Sequence, residues 1–157
     1  MGFPERIFTQ EEVEEARKLI KGGYRHRLTV EGSLGFRERV AEALELIKTA
    51  GYRPFLQTYI RSIVEIQGLS QLREADATLW ANRYAVADPI EAAGFFIQKA
   101  QQMKDYLEGK LYYDTAEKRA VERRLKFLRA LKNRSKDEAL KRKCEEALKR
   151  WDESKFL

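Results

Sequence analysis

The chain has 157 residues, 43% hydrophobic and 36% charged, with a formal net charge of +6. That is enough apolar material for one buried core, and no apolar run reaches the roughly 18 residues of a membrane span, so disorder and an integral membrane protein are both excluded. Single residues of cysteine and histidine, Cys144 and His26, rule out an intrachain disulfide, a thiolate zinc cluster and any site built on two imidazoles.

The opening stretch MGFPERIFTQEEVEE has no apolar leader segment and is acidic where a transit peptide is not, so the expected location is the cytoplasm, with no membrane partner. Thr9 with Glu12 forms a capping box, and Val13, Ala16, Leu19 and Ile20 follow at helical spacing up to Gly22-Gly23. Tyr24 to Glu31 alternates, with His26, Leu28 and Val30 on one face, and predicts a strand ending at Gly32-Ser33. Phe36, Val40, Ala43, Leu44 and Ile47 make an amphipathic helix that stops at Gly51.

Two readings fit residues 54–81. In one, Pro54 opens a short helix to Ile60, Ile63 to Ile66 is a strand, Gln67-Gly68 a turn, and Ala77 to Ala81 the returning strand of a hairpin. In the other, one continuous helix runs from Pro54 to Gln67 and another starts at Ser70. The β-branched residues Ile63, Val64 and Ile66 favour the hairpin. Beyond it the pattern is helical. Asp88-Pro89 with Glu91 starts a helix that runs to about Leu107 and stops at Gly109. Asp114 or Thr115 starts the next, to about Leu131, and Ser135 with Glu138 caps the last, which carries Cys144 and Trp151. The order implies one α+β domain over 1–157. Its core at 24–131 holds a small antiparallel or mixed sheet with a helical majority. The C-terminal helical part, 132–157, packs on that core or extends from it.

In the Pro89 helix, Ala92, Phe96, Ala100, Met103 and Leu107 form a core stripe, while Phe95, Gln98, Gln102 and Tyr106 form a second line. A solvated face would carry charges there, so the second line is either partly buried packing or the wall of a groove. Ligands at i and i+4 share one helical face, which is how a His-Glu-x-x-His helix holds zinc. Here those positions read Gln98, Lys99, Ala100, Gln101 and Gln102, which lack both imidazoles and the general base. Zinc-protease chemistry is excluded at this spot, and no metal or cofactor is expected.

The layout nonetheless resembles the zincin-like metallopeptidase fold over residues 25 to 130. LTVEGS leads into FRERVAEALELIKTAG, then come the predicted hairpin of Ile63 to Ala81, the Pro89 helix, the loop Glu108-Gly109-Lys110-Leu111-Tyr112-Tyr113, and AEKRAVERR. The resemblance rests on element order and hydrophobic pattern. It implies a scaffold without its metal, with Gln98, Lys99, Gln102 and Glu117 as the vestigial site, Glu117 at the third-ligand position and a Lys99–Glu117 salt bridge in place of the ion. Function is then non-catalytic, a binding or scaffold role toward a protein or peptide.

Other candidates have everyday readings beside the functional ones. Trp80, Arg83, Tyr84, Tyr106 and Tyr113 are interface-type residues that would rim one cleft, or else cap the core. After Tyr113 come 15 Lys and Arg against 9 Asp and Glu, whereas the first 113 residues hold 16 of each. Arg119, Arg123, Lys126, Arg129, Arg142 and Arg150 are therefore candidates for polyanion binding, the alternative function being a basic helical module for nucleic acid. Interleaved acids, with Glu145–Lys149 and Glu146–Arg150 at i,i+4, equally describe a solvated helix, and the charge-rich composition suits a thermophile. A carboxylate-only hydrolase would draw on Glu65, Glu74, Asp76, Glu91 and Glu117. His26 and Cys144 read as structural. No Gly-x-Ser-x-Gly turn or phosphate loop is present.

Overall fold

The computed structural model describes residues 2–110 and 115–155. Its helices are α1 (Gln10–Lys21), α2 (Leu34–Thr49), α3 (Arg53–Tyr59), α4 (Pro89–Leu107), α5 (Ala116–Arg134) and α6 (Glu138–Lys155). Its strands are β1 (Thr29–Glu31), β2 (Ser62–Glu65), β3 (Gln71–Arg73) and β4 (Thr78–Ala81), in the order β1-β2-β4-β3. The fold is α+β, with a helical majority and a small mixed sheet.

Most helix boundaries follow the local chemistry. In α1 the Thr9 hydroxyl accepts from the Glu12 amide at 3.1 Å, and the Glu12 carboxylate accepts from the Thr9 amide at 2.8 Å. The Asp88 carboxylate accepts from the Ile90 and Glu91 amides at 2.8 and 3.1 Å, and Pro89 fills the first turn of α4. The start of α6 is the exception. Asp137, rather than Ser135, caps it by accepting from the Ala139 amide at 2.9 Å, while the Ser135 hydroxyl holds the Asp137 amide.

The strand expected over Tyr24 to Glu31 shrinks to three residues. Leu28 turns to a positive φ of 59°, and the His26 amide donates to the Gln57 carbonyl at 2.8 Å, so 24–28 lies along α3 instead of the sheet. Residues 54–81 take the helix-then-strands reading, but not as a hairpin. β2 and β4 are parallel, with Ile63 opposite Leu79, and β3 pairs antiparallel with β4 on its far side. The intervening β3 and a 3-10 turn at Glu74–Asp76 carry the chain back, as a parallel pair requires. Gln-Leu-Arg has one apolar residue and shows no alternation, so β3 was invisible in the sequence.

In register, Val30, Ile63, Leu79 and Leu72 share the sheet face turned toward the helices, and the last three are buried. The core stripe of α4, Ala92, Phe96, Ala100, Met103 and Leu107, is buried throughout. α5 packs on α4, and α6 on α5, through Phe127, Leu128, Leu131, Cys144 and Ala147.

Two glycines of this packing are filled by arginines from α5. A Cβ on Gly94 would lie 2.6 Å from Arg124 Nε, and one on Gly51, at φ +78°, would lie 2.0 Å from Arg134 Nη1. Gly94→Ala should therefore destabilise the protein by about 1–3 kcal/mol, although alanine favours a helix interior by about 1 kcal/mol. A lowered urea midpoint at unchanged slope is the expected reading, and an unchanged or raised midpoint would remove the close approach from the account.

Candidate functional site

The four residues at the zincin-like metal positions are each engaged differently. Gln98 accepts from Arg124 Nη1 at 3.1 Å, which turns it toward α5. Lys99 Nζ donates to Gln102 Oε1 at 3.1 Å and lies 5.5 Å from the centre of the Phe95 ring. Glu117 is exposed in the first turn of α5. Among the described residues no ion pair joins Lys99 to Glu117, so the salt bridge expected there is not made. Glu117 acts on Lys99 only through its field. Burial pulls the Lys99 amine below its ordinary pKa, opposed by Glu74 and Glu117. The second line of α4, Phe95, Gln98, Gln102 and Tyr106, is half-buried along its length.

More of the polar chemistry lies one step round the helix. Asp105, 1% exposed, accepts from Arg119 Nε at 3.2 Å and from Gln101 Nε2 at 3.1 Å, and Gln101 accepts from Arg123 Nε at 2.9 Å. Arg123 also stacks on Phe55, 4.8 Å from its ring centre. Nearer the start of α4, the buried Arg124 donates to Glu91 Oε2 at 2.7 Å and stacks on Trp151 at 4.4 Å, and Arg150 donates to Glu91 Oε1 at 2.9 Å. Gly94, Gln101, Asp105 and Arg124 were not singled out from the sequence. The available signal was the match of Gln98, Gln101 and Asp105 on one helix to Arg119, Arg123 and Arg124 on the next.

The aromatic and arginine candidates separate. Trp80 sits on the open face of the sheet with Arg73 4.2 Å over its ring, whereas Arg83 and Tyr84 follow the end of β4. Tyr106 donates its hydroxyl proton to the Ile7 carbonyl near the other end of α4. Arg83 and Tyr84 line one cleft and Tyr106 another. Tyr113 lies outside the described residues, as do Leu111, Tyr112 and Asp114.

Of the basic candidates, Arg119, Arg123 and Lys126 line one cleft of about 250 Å³ with Lys104 and Lys110, against Asp105, Glu108 and Glu122. Arg150 lies at Glu91, and Arg129 and Arg142 are exposed. Among the carboxylates, Glu91 is held by Arg124 and Arg150, Glu65 accepts the Ser33 amide at 2.8 Å, and Glu74 and Asp76 lie in the 3-10 turn. No group of three His, Cys, Asp or Glu side chains placed to hold a metal ion occurs among the described residues.

His26 and Cys144 are both buried. Burial pushes the Cys144 thiol above its ordinary range, which keeps it protonated and unreactive. Comparison of the chain with protein-family models, curated proteins and solved structures finds no match in any of the three.

His26 packs edge-on against Phe3 and Tyr24, with ring centres 4.5 and 5.1 Å away, and burial followed by the Arg61 charge lowers its pKa from 6.5 to about 4. The unfolded chain therefore binds a proton that the folded chain refuses between these values. The stability contributed by neutral His26 is full above about pH 6.5 and is lost as pH falls toward about 4. An NMR titration of the lone imidazole should give a midpoint far below 6.5. A midpoint at or above 6.5 would show a solvated or charge-paired ring.

Proposed function

We propose that this protein is a non-catalytic binding or scaffold protein on a zincin-like layout, with a protein or peptide as partner. One observation carries the reading. Along α4, where that layout would turn its metal ligands into a cleft, stand two amides and an ammonium group, Gln98, Gln102 and Lys99, bonded to Arg124 and to each other. Such a donor set does not fit zinc, which needs imidazole, thiolate or carboxylate, and a half-buried ammonium opposes any cation beside it. The order β1, α2, mixed sheet, α4, α5, with Glu117 in the first turn of α5, supports the layout. No helix among the described residues is long and apolar enough to cross a membrane, and we place the protein in the cytoplasm. A thermophilic source fits the dense charge pairing.

The layout can be tested by putting the missing ligands back. The triple variant Gln98→His, Lys99→Glu, Gln102→His should gain about one tightly bound zinc per chain, with Glu117 completing the set. Metal analysis after dialysis and the visible spectrum of the cobalt-loaded protein both read the result. A folded variant that takes up no metal would sink the zincin-like layout, and stoichiometric zinc in the unaltered protein would sink the lost-metal reading.

One observation favours a second reading, nucleic-acid binding through the cleft lined by Arg119, Arg123 and Lys126 with Lys104 and Lys110. Binding through these cations must weaken steeply between low and moderate salt. Anisotropy of a labelled oligonucleotide should then fall with salt and with Arg123→Gln plus Lys126→Gln; salt-insensitive binding, or none at low salt, removes this reading.

A further inference from the structure

The carboxyl ends of β1, β2 and β4 point the same way, because these three strands are mutually parallel. In open sheets with parallel strands, ligands bind outside that end. Three large apolar side chains are exposed in the segments that leave it: Leu34 after β1, Leu69 after β2 and Tyr84 after β4, at 64%, 85% and 73%. Between the ends of β2 and β4 lies a cleft of about 460 Å³, lined by Glu65, Ile66, Gln67, Asn82, Arg83 and Tyr84. That volume is within the usual range for small-ligand sites, roughly 300–1,000 Å³.

The walls of this cleft are fixed by hydrogen bonds. Asn82 is clamped three ways: its amide donates to the Ser70 hydroxyl at 2.9 Å, its Nδ2 to the Gly68 carbonyl at 3.0 Å, and its Oδ1 accepts from the Ala85 amide at 2.9 Å. Glu65 is anchored at the start of α2, where Oε1 accepts the Ser33 amide at 2.8 Å, leaving Oε2 for another donor. Arg83 lies over the Tyr84 ring, 4.9 Å from its centre, and donates from Nη2 to the Tyr84 hydroxyl at 2.8 Å, leaving Nε and Nη1. Among the described residues neither Glu65 nor Arg83 forms an ion pair. A carboxylate and a guanidinium thus line one cleft, each fastened to its own wall rather than to the other.

We propose that this cleft binds a small zwitterion with an apolar side chain, a free α-amino acid or a short peptide. Its ammonium group lies against Glu65, its carboxylate against Arg83 and its side chain against Ile66 and Tyr84. A plain anion would meet Glu65 and a plain cation would meet Arg83, whereas a ligand carrying both charges satisfies both walls. The site shares no residue with the Gln98, Lys99, Gln102 and Glu117 group. The zinc experiment and the one below therefore fail independently.

The test is a titration of 15N-labelled full-length protein with leucine, leucyl-alanine, N-acetyl-leucyl-alanine and leucyl-alanine amide. Saturable amide shifts confined to Glu65–Gln67 and Asn82–Tyr84 are expected with leucine or leucyl-alanine, the tighter of the two identifying the source. Blocking either terminus should weaken binding at least tenfold, about 1.4 kcal/mol. Glu65→Gln, which keeps an acceptor for the Ser33 amide, and Arg83→Gln on the exposed loop should each do the same with the fold intact. The proposal is overturned if blocked and free peptides bind alike, if the shifts fall elsewhere, or if none of the four compounds produces saturable shifts.

Discussion

One guanidinium organises the helical layer. Arg124 projects from α5 into the space that Gly94 leaves on α4, donates to Glu91 and Gln98, and is covered by Trp151 of α6, so three helices meet on a single side chain. Burial works against its charge, and Glu91 is what keeps that charge in place. A buried pair of this kind contributes little net stability, because desolvation offsets most of the attraction. What it does is fix register. Any slide of α5 along α4 would break the Arg124 bonds to Glu91 and Gln98.

The same seam constrains function. A metal helix must keep its polar face free for the ion, yet here Gln98 is drawn to Arg124 and, one position round, Gln101 and Asp105 are drawn to Arg123 and Arg119. The ends of the parallel strands lie outside this seam, and among the described residues Glu65 and Arg83 there form no ion pair.

How legible each part was depended on how local its cause is. The Thr9–Glu12 box, the Asp88-Pro89 start and the apolar stripe of α4 are written in residues three or four apart, and the structure has all of them. The pairing of β2 with β4 depends on where β3 lies, and three residues with a single leucine carry too little pattern to announce a strand. The seam was hidden for another reason. Arg119, Arg123 and Arg124 look like solvent-facing charges until the partner helix is known, and nothing local says that Gly94 makes room for one of them. Tyr84 and Arg83 line a cleft at the ends of β2 and β4 while Tyr106 lines another, a placement set by topology that no local pattern carries.

The two glycine–arginine contacts bear on how this sequence can drift. Gly51 and Gly94 lie far apart in the chain, yet each is tied to one position of α5, Arg134 and Arg124 respectively. A side chain at Gly94 requires the buried Arg124 to shorten or leave, whereas the exposed tip of Arg134 can swing away from Gly51. Loss of Arg124 in turn opens a void that a larger residue at Gly94 can fill. Descendants of this chain should keep Gly51 for its left-handed backbone, whereas Gly94 and Arg124 should change as a pair: either both are kept, or both give way together to two residues of middling size.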